Sequence, residues 1–329
     1  MSAPPSPASS DEAYWTEQLI AILRSNLTKD YPDGTRTLRD AHTKSHGCVR
    51  AEFIVSDTVP ERFRVGIFRT PRTYQAWIRF SSSANSIRAD VKRDVMGMAI
   101  KVLDAGPADA DGAGAQDFLL TSAITFMARN LEEFYRFMAA FFAGTLHLAL
   151  FFLNPARWRM LIILAKVAKK YGSPLTSRYW SMSAYRCGDT VVKYGVRPQQ
   201  TMPDSPPAGA GPDFLRDAMK AHLTAKEARF DFMLQPQVDP HAMPIDDPSV
   251  EWSEQVSPFV PVATIRIPTQ DFDTAERWDF AENLSFAPWH CLSEHEPLGA
   301  INRARKRAYT VLSGFRHDRN HVPPRPPFW

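Results

Sequence analysis

The sequence predicts a fold that mixes α-helix and β-strand around a sizeable core. Three observations support this. Runs rich in β-branched and aromatic residues follow one another between Val49 and Val102. Helix-favouring segments stand near the two ends, from Glu12 to about Asn26 and from Ile301 to Leu312. The chain has 329 residues, of which 44% are hydrophobic and 12% aromatic. That is enough to bury one large core or two smaller ones.

In chain order, MSAPPSPASSDEAYW opens with a Pro/Ser/Ala-rich lead over residues 1–11, expected to be disordered. It has no basic n-region and no apolar h-region, so no secretory signal is expected. An amphipathic helix follows from Glu12. VRAEFIVSD, RFRVGIF, YQAWIRFSSS and VMGMAIKVLD each read as strands bounded by turn residues. DAGPADADGAGAQD is a Gly/Asp/Ala loop. DFLLTSAITFMA reads as a further strand, Asn130 to about Leu153 as a helix, and ARFDFMLQPQ and VATIRIPTQDF as two more strands around a Pro-rich acidic loop. No break in composition divides residues 12–320, read as a single domain. HVPPRPPFW, residues 321–329, reads as an extended, polyproline-like tail.

A net charge of +3 carries no polyelectrolyte signal for nucleic acid, and the basic run NRARKR is short and lacks interleaved aromatics. Cys48, Cys187 and Cys291 are odd in number and widely spaced, which points to no disulfide framework, no zinc spacing and a reducing, cytoplasmic setting. Phe137 to Leu153 is 17 residues without a charge, followed by basic residues from Arg157 to Lys170. A spanning helix needs about 20 apolar residues. Two readings are open for 137–170: buried core helix, or a patch in peripheral contact with a membrane.

The segment richest in chemistry is the C-terminal helix, where Arg305, Tyr309, Arg316 and Asn320 follow one another. Residues four apart share a helix face, and residues seven apart return to it. If the helix continues, Arg305, Tyr309 and Arg316 point the same way. A cation one turn away favours an ionised phenol, which is a metal donor, and a second arginine could hold an anionic group of a cofactor. A basic surface helix with one half-buried tyrosine is the plain alternative. Upstream, Arg39, His42, Lys44 and His46 crowd the start of the first strand.

Taken together in this order, these segments resemble the haem catalases, and in particular a compact catalase-related branch. RxxHxK before a strand resembles the distal segment of that family. YQAWIRFSSS followed by VKRDVMGMAIKV resembles its strand pair, and QDFLLTSAITFMARNLEEF its distal-side segment. RKRAYTVLSGFRHDRN resembles its proximal helix, and LSFAPWHCLSEHEPLGAINRARKRAY and YWSMSAYRCGDTVVKYG resemble the compact branch.

The resemblance implies an α+β fold, a catalase-like antiparallel β-barrel with surrounding helices, over 12–320. It implies haem b (iron protoporphyrin IX) as cofactor and Tyr309 as the metal ligand, a tyrosinate stabilised by Arg305. Arg39, Arg79 and Arg316 would pair with the haem propionates, and Phe134 would be the distal-side aromatic. His42 would be the distal base, hydrogen-bonded by Ser81, with His46 as the alternative. Thr121 stands where the family carries a distal Asn, so a hydroxyl replaces a planar amide donor and efficient dismutation of hydrogen peroxide is not implied.

The implied activity is that of a haem peroxidase or catalase-like oxidoreductase acting on hydrogen peroxide or an organic or lipid hydroperoxide. Rearrangement of a fatty-acid hydroperoxide, as in allene oxide synthases, and non-catalytic haem or lipid binding at a membrane are the alternatives. A homo-oligomer is implied as well.

Overall fold

The computed structural model describes residues 10–106, 114–201 and 203–323. The loop centre at 107–113 and most of the N-terminal lead and C-terminal tail lie outside the described residues. The first helix, α1, is Ser10–Asp30, so it takes up the last two residues assigned to the lead and runs four residues past Asn26. In order there follow β1 (Ser45–Val55), β2 (Thr73–Ser82), β3 (Met96–Val102), β4 (Gln116–Thr121), α2 (Leu131–Ala143), α3 (Thr145–Phe152) and α4 (Trp158–Val167). Then come β5 (Tyr179–Trp180), β6 (Tyr185–Cys187), β7 (Thr190–Pro198), α5 (Phe214–Ala225), β8 (Ala228–Pro236), β9 (Val260–Ile267), α6 (Ala275–Asn283) and α7 (Ala300–Asn320).

Eight strands close into an antiparallel barrel. β1 pairs with β2, and pairing continues through β3, β4, β5, β7, β8 and β9 back to β1, with β6 as a ninth strand on β7. Closure leaves no long unpaired edge. Alternation along each strand sends Val49, Ala51, Phe53 and Val55 of β1, Ile78 and Phe80 of β2, and Phe118 of β4 inward. Phe53, Phe118, Phe232 and Tyr194 stack there with ring centroids 4.7 to 5.9 Å apart. The lumen is therefore filled, as small barrels require, and truncating a fully buried ring such as Phe118 to Ala would cost about 3–5 kcal/mol. A large ligand has to sit on the outer wall.

The opposite parity faces outward. Cys48 and Trp77 meet Ala281, Leu284 and Phe286 in a second core between the wall and α6. α1, α2 and α7 form a helical layer, with Glu12 holding Arg303 at 2.7 and 2.8 Å and Trp15 against Tyr135 at 5.4 Å.

Three expectations differ from the structure. RFRVGIF is two short 3₁₀ turns, Glu61–Phe63 and Gly66–Phe68, because Pro60 and Gly66 (φ 51°) break an extended run. Their side chains Phe63, Ile67 and Phe68 are buried in the barrel core. DFLLTSAITFMA is a strand only as far as Thr121. The helix expected from Asn130 to Leu153 is cut at Gly144, whose φ of 105° no helix accommodates. α7, by contrast, runs through Gly314 to Asn320. Among the described residues no single helix is long and apolar enough to cross a membrane.

Candidate active site

The outer face of β2, β3 and β4 is laid out in cross-strand rows. Ser81, Gly97 and Thr121 stand opposite one another, and Arg79, Ala99 and Leu119 form the next row with Cys48 of β1. Neighbours in such rows are about 5 Å apart. The middle of both rows is therefore a small residue: Gly97 stands between the hydroxyls of Ser81 and Thr121, and Ala99 between Arg79 and Leu119.

His42 lies over the first row. Its Nδ1 is 3.0 Å from Ser81 Oγ, its backbone N–H donates to Ser83 O at 3.3 Å, and its carbonyl accepts from Arg79 Nη2 at 2.9 Å. Its φ is 57°, left-handed backbone that few non-glycine residues adopt. Gly97 permits this approach, since a Cβ there would lie 2.4 Å from His42 Nδ1 and 2.8 Å from Ser81 Oγ. Burial, and then the positive charges of Arg79, Arg305 and Arg39, push the His42 imidazole down to about 4, against the rise that Asp94 causes. The ring is neutral at pH 7.

His46 is turned elsewhere. It is fully buried, with Nε2 2.9 Å from Ser82 Oγ and Nδ1 3.9 Å from Asp90, beside the Lys44–Asp90 pair at 2.6 Å. Thr121 folds its hydroxyl onto its own turn. Oγ1 accepts the Ala123 N–H at 3.2 Å and reaches Ala123 O at 3.4 Å.

Three buried or partly buried arginines converge beside this wall. Arg39 Nη2 donates to the carbonyls of Ala281, Glu282 and Leu284 at 3.1, 3.1 and 2.8 Å. Arg316 Nη1 donates to Glu282 O at 2.7 Å and Glu282 Oε1 at 2.8 Å. Arg79 is the third, its Nε buried with no hydrogen-bond partner, while Arg39 Nε lies 3.9 Å from Glu282 Oε2. Burial, and then the mutual repulsion with Arg39, holds Arg79 down to about 9 and Arg316 down to about 10, with Glu282 the opposing influence on both. One carboxylate facing three guanidiniums leaves a surplus of positive charge that a dianionic group would neutralise.

On α7, Arg305 Nη2 donates to Tyr309 Oη at 3.2 Å, and Nη1 donates to Asn302 Oδ1 at 3.1 Å. Burial by itself would lower the Arg305 guanidinium, but the adjoining Tyr309 and Tyr185 outweigh it and hold it above its ordinary value. Asn302 is itself fixed by Ser183 Oγ and by the carbonyls of Ala184 and Leu298. The helical spacing thus places Arg305, Tyr309 and Arg316 on one side of α7, with Arg316 buried and Arg305 and Tyr309 half-buried. The remaining expected residue is Phe134. It packs edge-to-face on Phe126, centroids 4.9 Å apart, in the apolar cluster of α2–α4.

Gly97, Glu282 and Asn302 were not expected from sequence. Asn302 could have been found from its three-residue spacing to Arg305. Glu282 is one carboxylate among many until α6 is placed. A buried network also lies at the far end of the wall: Lys101 Nζ meets Asp117 Oδ1 at 2.6 Å, and His290 Nδ1 lies 2.9 Å from Asp117 Oδ2. His290, between α6 and α7, belongs to this network.

The buried Arg79 Nε without a hydrogen-bond partner, the guanidiniums gathered at Glu282, and a phenol oxygen held by an arginine are chemically suited to an anionic group that carries a metal.

No family model matches the chain, and no curated protein matches its sequence. Solved structures do match its fold. A fungal catalase gives a TM-score of 0.69 at 15% identity over 88% of this chain. Catalase A from Saccharomyces cerevisiae gives 0.67 at 15% over 95%, and a bacterial catalase gives 0.69 at 16% over 100%. The chain spans 61–66% of the length of these structures. An eight-strand antiparallel barrel closed in this way, with its helices on the outer wall, is the catalase-like fold.

Proposed function

We propose that the chain is a haem-dependent oxidoreductase that cleaves hydroperoxides. What supports this reading is the Arg305–Tyr309 pair of α7, together with His42 seated on Ser81 and with Arg39 and Arg316 sharing the Glu282 carboxylate. Tyr309 would give the iron an anionic oxygen donor, with Arg305 as its counter-charge. Arg39, Arg79 and Arg316 would hold the two propionates in charge-assisted hydrogen bonds. When bound, ferric haem b supplies the redox-active iron at which the O–O bond is broken.

The protein's own residues manage the proton. His42, neutral at pH 7, accepts the proton of an incoming hydroperoxide and returns it to the departing oxygen. Ser81 at 3.0 Å orients the ring through Nδ1, leaving Nε2 for the substrate. Thr121 offers no amide, and its hydroxyl is engaged with Ala123. This supports a peroxidase using organic hydroperoxides over an efficient dismutase of hydrogen peroxide.

The test is steady-state turnover of the haem-loaded protein with hydrogen peroxide and with an alkyl hydroperoxide, each with a reducing co-substrate. The expected result is a higher kcat/KM for the alkyl hydroperoxide, abolished in His42→Ala. A haem-loaded protein inert to both would overturn the reading in favour of non-catalytic binding.

A further inference from the structure

Helices α3 and α4 are unlike the rest of the surface. Of the eleven large hydrophobic residues with high exposure among the described residues, seven lie between Phe141 and Ile162. Leu146 is 70% exposed, Leu153 71%, Trp158 54% and Ile162 53%. Each helix buries a single residue, Phe151 in α3 and Met160 in α4, against the apolar cluster of α2–α4, and leaves large apolar side chains exposed on its other side. The segments Thr145–Phe152 and Pro155–Val167 meet at a bend of 100°. They form a sharply bent hairpin packed on α2.

Charge distinguishes the occupants open to such a face. From 134 to 188 the chain has no Asp or Glu and eight Arg or Lys residues, of which Arg136, Arg159 and Arg178 pair with Glu132, Asp247 and Glu254 outside that window, while Lys166, Lys169 and Lys170 are exposed. Trp158, Ile162 and Lys166 follow at four-residue spacing, so one stripe of α4 runs from an exposed indole to an exposed ammonium. Exposed Lys169 and Lys170 continue it. A second copy of the same basic face would be repelled. An anionic bilayer surface would accept the apolar side chains at the headgroup boundary and meet the bases with phosphates.

The hairpin is also anchored. Lys169 and Asp94 exchange backbone hydrogen bonds at 2.9 Å, and Arg93 Nε donates to Ala168 O at 2.9 Å. Its C-terminal end is therefore tied to the segment that leads into β3.

We propose that the α3–α4 hairpin docks the protein peripherally on anionic lipid surfaces, with Leu146, Leu150, Trp158, Leu161 and Ile162 in the interface and Lys166 and Lys170 on the headgroups. The test is co-sedimentation of the full chain with vesicles of phosphatidylcholine alone and of 7:3 phosphatidylcholine to phosphatidylglycerol. The expected result is binding to the anionic vesicles that weakens in high salt, with quenching of Trp158 by brominated acyl chains that is lost in Trp158→Phe.

Leu150→Glu with Leu161→Glu, both exposed positions, should weaken binding about tenfold or more while circular dichroism stays unchanged. If that double variant fails to fold, Lys166→Glu with Lys170→Glu tests the same face and should abolish the preference for anionic vesicles. Absence of binding, equal binding to neutral and anionic vesicles, or undiminished binding in both variants would overturn the proposal. So would a concentration-dependent dimer, lost in the leucine variant, in place of vesicle binding.

Discussion

Gly97→Ala tests the placement of His42 without touching a group that does chemistry. Gly97 has no unusual φ, so the substitution strains no backbone. The new Cβ would lie 2.4 Å from His42 Nδ1, 2.5 Å from its Cε1 and 2.8 Å from Ser81 Oγ. Ordinary van der Waals contact begins at 3.4 Å, so the imidazole must retreat by about 1 Å and its bond to Ser81 is broken or bent. Overpacking against a movable ring costs about 1–3 kcal/mol of stability, and less where the ring can swing away. The effect on rate is larger, since a misplacement of about 1 Å at a reacting group costs roughly a hundredfold. The assay is kcat/KM of the haem-loaded protein for an alkyl hydroperoxide, with the haem absorption spectrum and the thermal midpoint recorded alongside. The expected outcome is a fall of roughly two orders of magnitude with haem retained. Full turnover in Gly97→Ala would refute the assignment of His42 as the proton acceptor.

Removing one of the surplus cations should separate cofactor binding from folding. Arg79→Leu should leave the haem-free protein at least as stable as the parent, because an incompletely compensated buried charge is lost, while haem titration shows affinity reduced about tenfold or more. The pH dependence of stability follows from three buried rings, His42 held down to about 4, His46 and His295, opposed by Asp40, whose carboxyl burial pushes up to about 7. Burial, aided by Lys44, holds His46 down to about 3, and burial holds His295 down to about 4, against 6.5 for an ordinary imidazole. The unfolded chain therefore binds more protons between these values. Stability that is full above about 6.5 should fall as the pH drops to about 4, by an amount on the order of several kcal/mol, read as a falling denaturant midpoint. Asp117→Asn should lower stability by about 3–5 kcal/mol in chemical denaturation, because Lys101 would keep its charge in a buried site without its carboxylate.

Much of the fold was legible where one physical signal dominated. β1, β2, β3, β8 and β9 announce themselves through alternating β-branched and aromatic residues. α7 does so through its helix formers, and the four- and seven-residue spacings from Tyr309 placed Arg305 and Arg316 on one side before any tertiary information. β5 and β6 were not legible, because strands of two and three residues carry no period. RFRVGIF misled because its apolar residues fit a strand equally well, while Pro60 and Gly66 decided for turns. α6 went unseen as well, and with it Glu282, whose role exists only once Arg39, Arg79 and Arg316 are brought to it from three distant segments. The choice between His42 and His46 needed the bulge between Ser45 and Gly47. Together with the left-handed backbone at His42, it points one imidazole at Ser81 and the other at Ser82.

The central claim is that Tyr309 and its arginines hold a haem. The most direct measurement is the absorption spectrum of the haem-supplemented parent and of Tyr309→Phe, before and after addition of a hydroperoxide. The account predicts a ferric high-spin Soret band in the parent that changes on addition, and in the variant a shifted or lost band with no response. An identical spectrum and response in Tyr309→Phe, or no Soret band in the parent, would contradict it.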